Sequence, residues 1–203
     1  MKRLTAAMLV MASLFGAQTA SAVDFNVRII NLTNGIYYTP FLVAAHPAGT
    51  SIFTVGQPAS ANLQAMAEGG DISGLVSDLD GLGATIAENP AGGLLAPASE
   101  TNVDLNTDGT SNELLTIVSM LLPTNDAFAG LNAVPIPTEP GTYVFDVPAY
   151  DAGTEANDEL LTGGGAPGAA GMPADPGGLT GTGGTGAAMA DANPNVHIHR
   201  GSL

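Results

Sequence analysis

The chain has 203 residues, no cysteine, and 4 lysine and arginine residues against 19 aspartate and glutamate residues, which gives a formal net charge of −15. Four basic side chains are too few to form a basic patch for nucleic acid or for an anionic membrane surface. We therefore expect neither of these partners. The lack of cysteine excludes disulfides, thiolate metal sites and cysteine nucleophiles, whereas the negative field favours divalent cations as partners.

Residues 1–22 have the pattern of a secretory signal peptide. Lys2 and Arg3 precede an apolar stretch over residues 4–17, and Ala20-Ser21-Ala22 forms a small-residue cleavage site. The apolar stretch is too short to span a membrane. We therefore expect an exported protein, periplasmic or extracellular, whose mature chain begins at Val23. Removal of the two N-terminal cations changes the formal charge from −15 to −17.

Strand patterns begin directly after the signal peptide. The segment VDFNVRII alternates Phe25, Val27 and Ile29 with polar residues, which predicts a half-buried strand. Asn34-Gly35 follows as a hairpin signal. The next segment, IYYTPFLVAAH, is again extended in pattern, and Pro40 inside it indicates a sheet edge or a bulge.

The region around residues 60–80 has helical rather than strand patterns. SANLQAMAEGG predicts a short helix with Ser60 as its N-cap and Gly69-Gly70 as its end. DISGLVSDL predicts a second short helix, capped by Asp71. The two helices form an inserted region between the strands.

Three later segments return to strand patterns. NELLTIVSMLL places Leu115, Ile117 and Val118 against a core, TYVFDVPAY alternates apolar and polar residues, and NVHIH gives the last strand signal. Strands separated by turn-rich loops predict an all-β fold, an antiparallel β-sandwich with short helices in one inserted region.

The composition divides the mature chain into three parts. Residues 23–162 have the length and patterning of one β-sandwich domain. Residues 163–188 are rich in glycine, proline and alanine and predict a flexible loop, because such a segment cannot bury apolar surface. Residues 189–203 contain NVHIH and are expected to supply a C-terminal strand to the same domain.

The segment DLNTDG resembles part of a calcium-binding loop. Asp104, Asn106 and Asp108 have the spacing of EF-hand ligands, and Gly109 stands at the turn position. The twelfth position of that loop requires a bidentate glutamate, and Leu115 stands there instead. We therefore interpret DLNTDG as a hairpin turn.

The histidine pair in NVHIH is a second candidate metal site. His197 and His199 share one face of the predicted strand, opposite Val196 and Ile198, and such pairs bind zinc or copper in several β folds. A third ligand would be His46 or a carboxylate. A structural role is the preferred interpretation, and a zinc- or copper-binding periplasmic protein is the alternative.

No catalytic motif is evident. The sequence contains no G-x-S-x-G elbow, P-loop or HExxH motif, and nothing in the spacing of its serines and histidines supports a catalytic triad. A non-enzymatic protein is therefore expected, and an uncharacterised hydrolase is kept as an alternative.

The stretch PAYDAGTEANDEL concentrates negative charge. It contains Asp151, Glu155, Asp158 and Glu159 and no lysine or arginine. Two carboxylates about 4 Å apart repel by about 4 kcal/mol at an effective dielectric constant of about 20. The stretch is therefore either a solvated acidic loop or a place where a cation binds.

Three blocks of the sequence together resemble the spondin N-terminal domain. The first, HPAGTSIFTVGQPASANLQAMAEGGDISGL, has His-Pro, Phe-x-x-Gly, Leu-Gln and Ala-Glu-x-Gly-Asp elements in the order of that family. The second is SMLLPTNDAFAGL, and the third is YDAGTEAND, with its aromatic-Asp-Ala-Gly-Thr-acid signature. The resemblance covers most of residues 25–160.

The resemblance implies a fold and a metal site. Members of this family form antiparallel β-sandwiches similar to calcium-dependent membrane-binding domains, with a calcium ion at one end. Carried over to this chain, the calcium ligands are Asp126, Asp151 and Glu155, and Asp158 and Glu159 are solvated outer charges. Glu155 stands where the animal proteins have aspartate, so its carboxylate reaches one methylene further.

The resemblance also implies a role and a boundary. It indicates an exported calcium-binding domain that interacts, without catalysis, with an unknown protein or glycan at the cell surface. The segment HIHRG is similar to bacterial members in which more chain follows. We therefore expect that a closing strand is missing after Leu203.

Overall fold

Two antiparallel sheets of unequal size build the fold, which confirms the predicted β-sandwich with two short helices. The computed structural model describes residues 23–155 and 193–199. The elements, in chain order, are β1 (Asp24–Ile30), β2 (Tyr37–Tyr38), β3 (Leu42–Pro47), α1 (Ala61–Gly69), α2 (Ser73–Asp80), β4 (Thr85–Glu88), β5 (Glu100–Asn106), β6 (Asn112–Leu122), β7 (Ala127–Pro135), β8 (Ala149–Asp151) and β9 (His197–Ile198).

Several predictions concern residues outside the described part of the chain. They are the signal peptide over residues 1–22, the glycine-rich segment over residues 163–188, and the placement of Asp158 and Glu159 in solvent. Within the described part, no helix is both long and apolar enough to cross a membrane.

The large sheet lies between two hydrophobic cores. Its strand order is β4-β3-β6-β7-β8-β9, with β2 also paired to β6, and the small sheet consists of β1 and β5. One core lies between the large sheet and the helices, and the other lies between the two sheets. The large sheet therefore has apolar side chains on both of its faces.

Strand β6 is buried on both faces, which explains why its sequence does not alternate between apolar and polar residues. Leu115, Ile117 and Val118 all face a core, as predicted. Leu115 and Ile117 pack toward the small sheet, whereas Val118 and Met120 pack into the helix-side core. A strand that is buried on both faces reads as an almost continuous apolar run. The segment NELLTIVSMLL therefore marks the centre of the fold.

Strand β1 is half-buried as predicted, but it forms no hairpin with the segment that follows it. Its partner is β5, in a continuous register from Asp24 opposite Asn106 to Ile30 opposite Glu100, whereas β2 pairs with β6 of the large sheet. The buried Asn31 side chain explains the difference, because its amide donates to the carbonyl oxygens of Ile36 and Leu95. Those hydrogen bonds stabilise the connection between β1 of the small sheet and β2 of the large sheet.

Helix α1 begins and ends at the predicted signals, whereas the predicted cap of α2 is wrong, because Ile72 and not Asp71 stands at its N-cap position. The Ser60 hydroxyl accepts a hydrogen bond from the Leu63 amide at 3.1 Å, and Gly70 ends α1 in the left-handed conformation, with φ of 69°. The Asp71 carboxylate accepts the Ser73 amide at 2.9 Å, one position further from α2 than a standard N-cap. Bonding to Ser73 also lowers the Asp71 pKa.

The predicted strand over TYVFDVPAY is wrong for most of its length. Only Ala149–Asp151 form a strand, and the residues before them are exposed, Val144 by 86%. Strand β8 pairs with β7 over Ala127–Ala129 alone. Beyond that point β7 has an irregular register, a left-handed Ala133 and the terminal Pro135, so it gives TYVFDV no regular ladder to join.

The DLNTDG segment is a turn, but it is not the turn of a hairpin. Strand β5 pairs with β1 and strand β6 pairs with β3 and β7, so the turn carries the chain between the two sheets. The Asn106 side-chain oxygen accepts the Asp108 amide at 2.7 Å, and Gly109 has a φ of 71°. Local bonds thus account for the residue types at these positions.

The buried His46 connects two irregularities of the large sheet. Its Nδ1 lies 3.1 Å from the Pro47 carbonyl oxygen, which can only accept, so Nδ1 is assigned the proton. Its Nε2 then accepts from the Thr116 hydroxyl at 2.8 Å, and that hydroxyl oxygen accepts from the Ala133 amide at 2.9 Å. Both ring nitrogens are therefore used within the core.

Replacing the Thr116 hydroxyl tests this network. Thr116→Val keeps the shape of the side chain but leaves the Ala133 amide and His46 without their partner, so we expect a loss of about 2 kcal/mol of unfolding free energy. Thr101→Val is the matched control, because the buried Thr101 hydroxyl donates only to the Pro90 carbonyl. Equal losses in urea unfolding would contradict the account.

Candidate functional site

Three acidic residues meet where the β6–β7 turn adjoins the end of β8. Asp126 immediately precedes β7, Asp151 is the last residue of β8, and Glu155 follows in the next loop. Each of them is 1% exposed. Asp151 pairs with Ala127 on one side and with His197 on the other, so the site lies across three adjacent strands.

Gly153 shapes the loop that carries Glu155. Its φ is 72°, and a Cβ at this position would lie 2.6 Å from the Asn193 carbonyl oxygen and 2.8 Å from the Asn195 amide nitrogen. Its own amide donates to Asp151 Oδ1 at 2.8 Å. Only glycine combines this conformation with so close an approach of the 193–195 backbone.

One oxygen of Asp126 holds the loop in place. Oδ2 accepts the Thr154 amide at 2.8 Å, the Thr154 hydroxyl at 3.2 Å and the Glu155 amide at 3.0 Å. The Ala152 amide donates to the backbone oxygen of Asp126 at 3.1 Å. The structure thus brings Asp126 next to the end of β8 and the loop after it, which contain the other two predicted ligands, although Asp126 and Asp151 are 25 positions apart.

The electrostatics of the site disfavour ionised Asp126. Burial and then the nearby charge of Asp151 raise the Asp126 pKa to about 7, against the lowering effect of the bonds from Glu155 and Thr154. Arg28 is the only lysine or arginine in the described part of the chain, and it pairs with Glu100 on the small sheet. Among the described residues, no lysine or arginine therefore offsets the charge at the site.

The donor set suits a hard cation. Carboxylate oxygens are the preferred ligands of calcium, which takes six to eight oxygens and completes its shell with carbonyls and water. As the side chains stand, no group of three or more His, Cys, Asp or Glu residues among those described is arranged to hold a metal ion. A cation bound here would require the carboxylates to turn toward it, and the three ligand assignments stay predictions.

An aromatic cluster supports the strands that carry the site. Phe53, Phe128 and Tyr150 are in mutual contact, with ring centroids 4.8–5.5 Å apart. Phe53 lies over Gly130, where a Cβ would come within 2.9 Å of the ring. These contacts fix β7 and β8 next to Asp151.

The histidine pair is only partly as predicted. His197 Nδ1 donates to the Asn195 carbonyl oxygen at 2.8 Å and lies 3.8 Å from Asp151 Oδ1. Strand β9 contains His197 and Ile198 only, so His199 lies just beyond it, and the shared face of the two histidines stays a prediction. His46, proposed as a third ligand, has both ring nitrogens engaged in the core.

Two participants in the site are absent from the predicted ligand set. Thr154 donates twice to Asp126, and His197 lies beside Asp151. The threonine is visible in the AGTE motif, but its role depends on Asp126 and therefore on tertiary contact. The histidine lies 46 positions from Asp151, and only the pairing of β8 with β9 reveals the approach.

The pKa of Asp126 predicts how chelator-treated protein responds to pH. The pKa of this carboxyl is about 7 in the folded protein against an ordinary value of 3.8, so the unfolded chain releases this proton first as pH rises. Stability from this group is thus present below pH 4 and is lost as pH rises to 7 and above. Urea unfolding should show this decline, and Asp126→Asn should flatten it; equal slopes would contradict the assignment.

Gly153 can be tested against a glycine of the same conformation. Gly153→Ala should cost at least about 2 kcal/mol more unfolding free energy than Gly109→Ala. Both positions have a positive φ, but a Cβ at Gly109 has nothing within 4 Å. Thermal unfolding of both variants gives the comparison, and similar losses would mean that the 193–195 backbone does not pack here.

Comparison with known proteins identifies the family of this chain. The comparison with curated proteins gives no match. The family model Spondin_N matches residues 29–159, which include the helices, the aromatic cluster and all three acidic residues of the site. A match over that share of the sequence shows the family, and the chain belongs to the spondin N-terminal domain family.

Proposed function

We propose that this spondin-type domain is exported, binds calcium through Asp126, Asp151 and Glu155, and acts without catalysis in surface or matrix interaction. The observation that carries the proposal is the burial of Asp126, Asp151 and Glu155, each 1% exposed, with the Glu155 amide 3.0 Å from Asp126 Oδ2. Burial and the charge of Asp151 raise the Asp126 pKa, which expresses an electrostatic penalty on ionising both groups. A divalent cation would reverse this penalty, because it favours the ionised form of both groups.

Calcium suits these residues better than magnesium does. Magnesium demands near-ideal octahedral geometry and keeps several waters, whereas calcium tolerates irregular shells of six to eight oxygens. Asp126 comes from a strand turn, and Asp151 and Glu155 come from the end of β8 and the loop after it. Ligands carried by such different elements favour calcium, whose coordination is the more adaptable of the two.

Bound calcium would supply charge and cross-linking rather than chemistry. It would join the β6–β7 turn to the end of β8, and Gly153 packs that same loop against the 193–195 backbone. A single ion would thereby fix three chain segments at one end of the sandwich. Segments at the end of a rigid β-sandwich are suited to contact other molecules, here a protein or glycan at the cell surface.

A second candidate is zinc or copper at His197 and His199. The bond from His197 Nδ1–H to the Asn195 carbonyl favours it, since metal-binding histidines commonly donate their other ring N–H to such an acceptor. In this role Nε2 of His197 would face the metal. The two candidates differ in metal preference, so metal competition separates them.

The calcium proposal predicts unequal effects of two matched substitutions. Asp151→Asn removes one charge from the site, and we expect it to weaken calcium binding at least tenfold, about 1.4 kcal/mol. Asp108→Asn makes the same change at an exposed position of the DLNTDG turn and should weaken binding only slightly, through attraction that salt screens.

Isothermal titration at low and high salt measures both effects. Equal losses that vanish at high salt would show only diffuse attraction of calcium to an acidic protein. A larger loss for Asp108→Asn would place the ion at the DLNTDG turn instead.

A further inference from the structure

The Asn34-Gly35 pair has the composition of a hairpin turn but not the structure of one. Strand β1 pairs with β5 and strand β2 pairs with β6, so the pair lies in a connection between the two sheets. A tight hairpin turn of this composition requires a positive φ at both residues, and neither residue has one. Hairpin geometry therefore does not account for the pair.

The reactive groups of this pair are unhindered. Both residues are exposed. Across the described residues, neither the Asn34 side chain nor the Gly35 amide takes part in a hydrogen bond. A Cβ at Gly35 would have no atom of a non-adjacent residue within 4 Å. The Asn34 side chain and the Gly35 nitrogen can therefore approach each other without breaking a hydrogen bond or meeting a neighbouring residue.

Other asparagines of the fold are held in place. The side-chain amides of Asn31, Asn112 and Asn132 each donate two hydrogen bonds. Asn34 is also the only asparagine of the sequence that is followed by glycine. Because glycine has no Cβ, its nitrogen attacks a neighbouring carbonyl carbon with the least steric hindrance. Sequence and structure therefore single out the same residue.

We propose that Asn34 is a site of spontaneous deamidation. The Gly35 backbone nitrogen bonds to the side-chain carbonyl carbon of Asn34 and loses its proton, the side-chain amide leaves as ammonia, and a cyclic succinimide results. Water then opens the ring at one of its two carbonyl groups, which gives aspartate or isoaspartate. The only co-reactant is water. Either product adds one carboxylate, so the formal charge changes from −15 to −16.

Isoaspartate is expected to disturb the connection more than aspartate does. Hydrogen bonds close the loop around the pair: the Ile36 amide donates to the Thr33 hydroxyl at 3.2 Å, and the Asn31 side chain donates to the Ile36 carbonyl at 2.8 Å. Isoaspartate inserts its side-chain methylene into the main chain between these anchors. Those hydrogen bonds must then distort, and Asn31 is buried, so the isoaspartate form should unfold more easily.

Mass spectrometry of aged protein tests the site. Purified protein is incubated at mildly alkaline pH and digested, and peptides in which an amide has become a carboxyl group are identified. We expect this change at Asn34 to be at least about tenfold faster than at Asn132, which is hydrogen-bonded and followed by alanine. An unchanged Asn34, or equal rates at the two residues, would overturn the proposal.

The variant Gly35→Ala isolates the chemistry from the fold. Because Gly35 has no positive φ and has open space where a Cβ would lie, alanine should leave the structure intact. It should nevertheless slow deamidation of Asn34 at least about tenfold, since a Cβ hinders attack by the nitrogen. Deamidation of this variant at the unsubstituted rate would contradict the proposed ring closure.

Comparison with the unfolded chain tests the structural part of the proposal. Because the pair is exposed and not hydrogen-bonded, its deamidation rate in the folded protein should lie within about tenfold of its rate in urea. A folded rate below that range would show that the connection between the sheets protects Asn34, contrary to the proposal.

Thermal unfolding tests the expected effect of the product. The isoaspartate form, purified from aged protein, is compared with the variant Asn34→Asp, which has the same charge but a main chain of normal length. We expect the isoaspartate form to have the lower melting temperature. An equal or higher melting temperature would contradict the proposed distortion of the loop.

Discussion

The pairing of β6 with β7 is the interaction on which the rest of the molecule depends. Strand β6 is the longest described strand, lies in the middle of the large sheet, and contributes to the cores on both faces. The same pair forms the turn that carries Asp126, so the hydrophobic core and the acidic site share one support. Burial of apolar surface provides the driving force, and the position of the carboxylate follows from it.

The position that the β6–β7 pair gives to Asp126 makes ionisation of its carboxyl group electrostatically unfavourable. Asp126 cannot move far from Asp151, because their strands are paired in register through Ala127. Its pKa of about 7 expresses the cost, since the fold favours a protonated carboxyl where water would favour a carboxylate. A buried site of this kind is a candidate functional site on physical grounds. Membership of the spondin family fits the arrangement, and calcium is the proposed explanation for it.

Local sequence signals predicted the elements that depend on neighbouring residues. The alternation in β1, the Ser60 N-cap and the Gly70 end of α1 are all confirmed. Elements that depend on distant partners were not predictable in the same way. Asn34-Gly35 had the composition of a hairpin turn, but the buried Asn31 directs the chain elsewhere. Strand β1 pairs instead with Glu100–Asn106, whose residues lie 70 to 82 positions from their partners.

The site shows the same division. The association of Asp126 with residues 151–155 was implied by the family resemblance, because no spacing within one segment reveals it. The two hydrogen bonds from Thr154 to Asp126 form only when the β6–β7 turn is in place. Residue types thus indicated the chemistry, the family resemblance named the three acids, and the fold shows the hydrogen bonds that hold the 154–155 segment against Asp126.

Metal content under competition tests the central claim most directly. Purified protein, first freed of metal with a chelator, is dialysed against equal concentrations of calcium, magnesium, zinc and copper and analysed by mass spectrometry. The account predicts one calcium ion per chain, lost in an Asp126→Asn, Asp151→Asn double variant that remains folded. Retention of zinc or copper with no calcium, or equal calcium in the double variant, would contradict it.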